Sequence, residues 1–273
     1  MDTWRLLLTP AAPGAWNMAV DEALLESIGR GDSLPALRLY AWDPPCLSLG
    51  YAQPVSDVDL PRLSKHGWDL VRRPTGGRAI LHTDELTYAV IASRREPRLA
   101  GTLLESYEHL ASALLAALRS LGLPVEMQPP AATPSATNPN PVCFEVPSSG
   151  EITVGGKKLV GSAQARRKEG ILQHGSLPLR GELGRVTQVL AFPNEAARSE
   201  AAARLLARAA TVESILGREV AWEEAAQAFI AAFGKTLALE LQPSQLTPIE
   251  ERRATELASS KYAQARWIEQ ADV

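Results

Sequence analysis

The 273-residue chain carries 28 lysines and arginines against 31 aspartates and glutamates, a formal net charge of −3, so no whole-molecule field attracts nucleic acid or an anionic membrane. With 45% hydrophobic residues it can bury a sizeable core, yet no apolar run approaches the roughly 18 residues a membrane span needs. Cys46 and Cys143 lie far apart, with no CxxC pair and no histidine at ligand spacing, and Leu6 to Leu8 are too short for a signal peptide core; a cytoplasmic protein without a disulfide framework, metal site, membrane or nucleic-acid partner is expected.

In chain order, strand-like stretches alternate with helix-like ones, which predicts an α/β (α+β) layer architecture with a mixed central sheet flanked by helices. Trp4 to Leu8, Leu37 to Ala41, Leu47 to Tyr51, Asp69 to Arg73, Leu86 to Ala92, Glu151 to Val154 and Ile171 to Leu179 are short, rich in branched or aromatic residues, and bounded by turn residues. One sheet could hold them all. Trp16, Val20, Ala23, Leu24 and Ile28 share a helical face that the pattern stops at Gly29. Thr102 and Glu105 form a capping-box pattern before a helix with Leu104, Tyr107, Ala111, Leu114, Leu118 and Leu121 on one stripe, ended by Gly122 and Pro124. Further helices are expected at Asn194 to Ala209, Trp222 to Ala238 and Pro248 to Ile268, making the C-terminal third mainly helical. The segment Gln128 to Pro141 is Pro, Ala, Thr and Asn without apolar period or charge, and reads as a long loop just before Cys143.

Two segments carry residues suited to chemistry. Arg72 to His82, RRPTGGRAILH, follows a strand and combines arginines, a glycine pair and a histidine. Paired glycines let a ligand approach the backbone, while Arg73, Arg78 and His82 could orient anionic or carbonyl groups; a tight turn with solvated arginines fits the residues equally well. Downstream, Cys143 precedes ITVGGKKLVGSAQ, where a Gly155-Gly156 turn between strands would send Lys157 and Lys158 to opposite faces. A lysine facing inward could lower a nearby thiol's pKa and stabilise an oxyanion, as acyl transfer through a thioester requires. A buried cysteine beside surface lysines is the plainer alternative. Cys46, inside an apolar run, reads as a core filler.

Taken together, RRPTGGRAILHTDELTYAVI, VCFEVPSSGEITVGGKKLVGSAQARRKEGILQHGSLPL, the FPNE at Phe192 to Glu195 and the C-terminal KYAQARW closely resemble the superfamily that handles lipoate, octanoate and biotin, and within it the LipM-type octanoyltransferases. The resemblance spans about Trp4 to Trp267. It implies a biotin/lipoate protein ligase-like catalytic domain over 1–245, with its core at about 35–240, and a short helical tail over 246–273. It implies transfer of octanoyl from acyl carrier protein to a lysine of lipoyl-domain proteins, such as the glycine cleavage H protein, in lipoate biosynthesis. The donor's phosphopantetheine carries the acyl group, so neither a separate cofactor nor ATP is expected. By position, Cys143 matches the thioester nucleophile and Lys158 the superfamily lysine that stabilises oxyanion and thiolate. Arg73, Gly76, Gly77, Arg78, Gly161, Ser162, Ala163, His174 and Gly175 match the substrate-binding positions, and His82 is a candidate base. Arg166, Arg167 and Lys168 could dock acidic carrier or lipoyl domains, or be an ordinary solvated charge run.

The strongest rival is an ATP-dependent lipoate-protein ligase. Against it stand Arg78, where ligases typically place a third glycine, the short C-terminal tail, and a cysteine the ligases do not need. An octanoyl amidotransferase between lipoyl proteins is the second rival, and a non-catalytic acyl-binding paralogue the third.

Overall fold

The computed structural model describes residues 2–127 and 152–270. In the first half the chain forms β1 (Asp2–Leu8), α1 (Gly14–Arg30), β2 (Ala36–Tyr40), β3 (Cys46–Leu49), α2 (Leu60–Lys65), β4 (Asp69–Arg72), β5 (Ile80–His82), β6 (Glu85–Ala92), α3 (Leu103–Ser120) and β7 (Glu126–Met127). It continues with β8 (Ile152–Val154), β9 (Lys157–Lys158), β10 (Gly161–Arg166), β11 (Ile171–Pro178), α4 (Glu195–Arg208), α5 (Val212–Leu216), α6 (Trp222–Thr236), β12 (Leu239–Pro243), α7 (Pro248–Leu257) and α8 (Ala265–Glu269).

The expected mixed α/β architecture is present, but not as one sheet. A six-stranded sheet runs β10-β11-β6-β2-β1-β12, a three-stranded sheet runs β4-β3-β5, and β7, β8 and β9 make a third, smaller one. In the large sheet β1 pairs parallel with β2 and β12, whereas β2, β6, β11 and β10 are mutually antiparallel. Both faces of its middle are covered, so β2, β6 and β11 are buried at every position, whereas the edge strands β10 and β12 are partly exposed. Leu6, Leu39, Tyr88 and Val90 face α3 and α6, while Leu7, Tyr40, Ala89 and Ile91 face α1 and α7. The small sheet packs Leu47, Leu49 and Ala79 against Val186, Val189 and Leu205, forming a separate apolar cluster.

Local chemistry explains most element ends. The capping box holds: Glu105 N–H donates to Thr102 Oγ1 at 3.2 Å and Thr102 N–H to the Glu105 carboxylate at 2.7 Å. Such a cap is worth about 1 kcal/mol. The stop expected at Gly29 is overturned, since α1 continues to Arg30 and Gly31, at φ 82°, supplies the left-handed cap. Gly29 is small for another reason: a Cβ there would sit 2.0 Å from the Glu169 carbonyl oxygen. The long C-terminal helix is also revised. It breaks after α7 into a π-helical turn, Ala258–Tyr262, before the short α8. The predominantly helical C-terminal third additionally hides β12, the parallel edge partner of β1. Among the described residues no helix is long and apolar enough to cross a membrane.

Candidate active site

A cleft of about 420 Å³ opens between the large sheet and the small one. Of the positions singled out from sequence, Arg73, Gly77, His82, Gly161, Ser162, Ala163, His174 and Gly175 line it, joined by Met18, Tyr40, Trp42 and Thr87. Gly76 and Arg78 act through their backbones: Arg73 Nη2 donates to both carbonyl oxygens at 2.8 Å. Arg73 therefore staples its own loop into a ring around the cleft. The loop can sit there because Gly50 offers no side chain, as a Cβ at Gly50 would lie 1.9 Å from the Gly77 oxygen. Gly77 itself adopts φ 93°, the region that favours glycine.

The staple connects to a buried polar chain. Arg73 Nη1 donates to Ser48 Oγ at 3.1 Å, Ser48 Oγ lies 2.7 Å from His82 Nε2, and His82 Nδ1 lies 2.7 Å from Glu85 Oε1. Thr87 Oγ1 donates to the same carboxylate oxygen at 2.5 Å and receives Trp42 Nε1 at 2.8 Å. Burial opposes ionisation of Glu85, but His82 and the hydrogen bonds it receives hold its carboxyl below the ordinary range. An ionised Glu85 can only accept, which places the proton on His82 Nδ1. With the ring neutral, Nε2 accepts from Ser48, and Ser48 in turn accepts from Arg73. The Trp42 ring stacks on His82 at 4.0 Å between centroids, fixing the imidazole plane.

A second chain enters from α1. Asp21 accepts from Arg38 Nη1 at 2.7 Å and from Tyr40 Oη at 3.1 Å, and lies 3.2 Å from His174 Nδ1. His174 Nε2 reaches Thr75 Oγ1 of the glycine loop at 2.7 Å. Burial works against the Asp21 charge, yet Arg38 and His174 keep its carboxyl below the usual value. Burial, aided by the Arg73 charge, pushes His174 down, so its ring is neutral and accepts the Thr75 hydroxyl proton at Nε2.

The hairpin places Gly155 and Gly156 at φ 55° and 77° and sends the two lysines to opposite faces, as the alternation predicts, with Lys157 outward and Lys158 in the interior. Lys158 sits three residues before Gly161 of the cleft wall, and its carbonyl accepts from Ala210 N–H at 3.0 Å. Cys143, the Gln128 to Pro141 segment and Glu151 lie outside the described residues. Cys46 is fully buried and its thiol is pushed well up by burial, which suits a core filler. Arg166 is not part of a solvated run: it donates to the carbonyls of Leu99, Gly101 and Thr102 and locks β10 to the start of α3. Arg167 donates to Pro74 O at 3.0 Å and lies over the Tyr51 ring, while Lys168 is exposed. Among the described residues no group of acidic, histidine or cysteine side chains is gathered to hold a metal.

Sequence reasoning missed Asp21, Ser48, Thr75 and Glu85. Ser48 is a polar residue within an apolar run, Thr75 lies inside the glycine-pair segment and Glu85 begins an apolar strand, and only Asp21 carried a signal, a charged side chain on the buried stripe of α1 four residues after Asn17, which also binds Arg38.

The lipoyl protein ligase A/B catalytic-domain family model matches residues 13–234. An octanoyltransferase LipM of Symbiobacterium thermophilum is 41% identical over 268 residues, covering 97% of each chain. An octanoyltransferase LipM of Moorella thermoacetica is 43% identical over 268 residues, with 98% of each chain covered. Among solved structures, the bi-partite lipoate protein ligase of Thermoplasma acidophilum superposes with a TM-score of 0.82 at 28% identity, over 99% of this chain and 98% of that one.

Proposed function

The chain belongs to the LipM octanoyltransferase family, built on the lipoyl protein ligase A/B catalytic domain, and on that premise we propose that it transfers octanoyl from acyl carrier protein to a lysine of lipoyl-domain proteins, the glycine cleavage H protein among them. The observation that carries this reading is end-to-end similarity to octanoyltransferases at 41–43% identity, against 28% for the lipoate ligase structure. The ATP-dependent ligase is not favoured, and no nucleotide or other cofactor is assigned.

The apolar cleft suits an eight-carbon tail: seven carbons beyond the carbonyl at about 0.8 kcal/mol each give roughly 5 kcal/mol on burial. In the first half-reaction the Cys143 thiolate attacks the octanoyl thioester, the tetrahedral oxyanion is stabilised by Lys158, and the phosphopantetheine thiolate leaves. In the second, the acceptor lysine amine attacks the Cys143 thioester and Cys143 leaves as thiolate. The amine, ordinarily protonated near pH 7, must lose one proton to solvent before it attacks and a second from the attacking nitrogen as the amide forms. Ser48 supports a route for the second: its hydroxyl gives its proton to His82 Nε2 while taking one from the attacking nitrogen, and Glu85 stabilises the imidazolium through Nδ1. Arg73 holds Ser48 in line.

The deciding experiment is intact mass after mixing the protein with octanoyl-acyl carrier protein without ATP, beside Cys143→Ala. The expected result is a hydroxylamine-sensitive octanoyl adduct on the wild type alone. Acyl transfer that appears only with free acid, ATP and magnesium would overturn the reading in favour of the ligase.

A further inference from the structure

We propose that Ile80 is the partition that sets acyl-chain length, closing the octanoyl cleft against a second apolar chamber into which a longer chain would otherwise extend. The inference rests on the octanoyl-transfer reading and deepens it.

The second chamber, a partly open recess, lies behind β5 and shares Ile80 and Ser176 with the cleft wall. Its remaining apolar wall comes from Ala79, Leu81, Leu183, Val186 and Leu205. Thr83, Asp84, Glu85, Arg180, Glu182 and Arg185 also line it, and Arg185 Nη2 meets Asp84 Oδ2 at 2.6 Å. Apart from Glu85, none of its lining residues enters the proposed transfer. Of the two shared residues Ser176 is small and sits on β11, so beside the hydrogen-bonded set His82, Glu85 and Thr87 the apolar part of the division is the side chain of Ile80. Isoleucine suits a wall: its branched Cβ confines χ1, so it yields less readily than leucine or methionine would. Its position is set from both sides, because Ile80 pairs with Ser48 in the β3–β5 ladder and His82 two residues on is held by Ser48 and Glu85. Binding strength along a smooth apolar tunnel discriminates one methylene weakly, so a hard stop is the effective way to favour eight carbons over ten or twelve.

The test is a donor competition among octanoyl-, decanoyl- and dodecanoyl-acyl carrier protein, using wild type, Ile80→Ala, Ile80→Val and Ile80→Ala with Leu183→Trp. Shortening the wall should raise the dodecanoyl-to-octanoyl ratio about tenfold or more in Ile80→Ala, with a smaller rise in Ile80→Val. Filling the chamber with Leu183→Trp should return the ratio toward wild type. A ratio unchanged by Ile80→Ala, or a gain that survives Leu183→Trp, overturns the proposal; the second result would mean that the cleft had merely widened. Thermal shift with free octanoate and dodecanoate gives a readout independent of turnover, and dodecanoate should stabilise Ile80→Ala more than wild type. A wild type that moves no octanoyl at all would instead fail the underlying functional reading, while the thermal shifts would still decide the partition.

Discussion

Arg72 and Trp267 hold each other by reciprocal hydrogen bonds, Arg72 Nε donating to the Trp267 carbonyl at 3.2 Å and Trp267 Nε1 to the Arg72 carbonyl at 2.9 Å. Arg72 Nη1 also caps the carbonyls of Gly50, Tyr51 and Gln53 at 2.6 to 3.0 Å. At the end of an extended strand neighbouring side chains point to opposite sides, so Arg72 grips the C-terminal turn while Arg73 grips the cleft. The tail thereby braces the glycine loop from behind.

Replacing Trp267 with phenylalanine keeps an aromatic ring against Tyr51 and Tyr262 but removes the indole donor. The expected stability loss is about 1 kcal/mol, read as a melting-point drop of about 2–4 °C, together with a slower transfer rate. Arg253→Gln cuts a different tail anchor, the paired bonds to Glu26 at 2.7 and 2.9 Å, and should lower the melting point without changing the rate. Equal rate losses in both would show that the brace has no special link to the loop.

Gly175→Ala should narrow the cleft. A Cβ there would meet Ser162 Oγ and Tyr88 Cε1 at 2.6 Å and the Gly161 carbonyl at 2.7 Å, and the last of these is backbone that cannot rotate away. Overpacking of this kind costs about 1–3 kcal/mol. The variant should melt earlier and show a raised KM for the octanoyl donor, both measurable on the same preparation.

Ser48→Ala separates the two half-reactions. It deletes the hydroxyl between Arg73 and His82 and leaves buried Nε2 without its donor, a loss of about 1–3 kcal/mol in stability. Loading of Cys143 needs no relay through Ser48, whereas attack by the acceptor amine does. Single-turnover measurements should show the second step slowed far more than the first, and equal slowing would remove Ser48 from the proton route.

Acid should destabilise the protein in two stages. His174 lies below its ordinary 6.5 in the folded state, so as pH falls through that value the unfolded chain takes up a proton the folded chain refuses, and stability declines. Asp21, whose ordinary value is 3.8, and Glu85, ordinarily 4.5, are held lower still; their contribution is present above those values and is lost as pH falls through them. Denaturant melts of His174→Gln from pH 7 to 5 should show a flatter profile than wild type. An identical slope would mean that the ring titrates normally.

The acyl-site segments were legible because they are local. The glycine pair, the arginine beside it, and the turn that sends Lys157 and Lys158 to opposite faces are set within a few residues of chain. Asp21 was not legible as a site residue: its partner His174 lies 153 residues away, and no spacing rule links them. Thr75 and His174 are separated by 99 residues, and Ser48 and His82 by 34. The misread at Gly29 has the same origin, since glycine is ambiguous between a stop and a close approach until its neighbour Glu169 is known.

Composition, periodicity and the motif-bearing segments determined by themselves that this is a mixed α/β chain with a capped helix at Thr102 and a glycine-pair loop after Asp69–Arg72, because those properties arise from short-range sterics and burial. The division into separate sheets, the parallel seat of Leu239–Pro243 beside Asp2–Leu8, and the joining of Arg73, Ser48, His82 and Glu85 into one polarised chain were decided only by tertiary structure. A lone serine or carboxylate acquires a role when burial removes water and leaves it one partner, and that partner is chosen by packing, not by position along the chain.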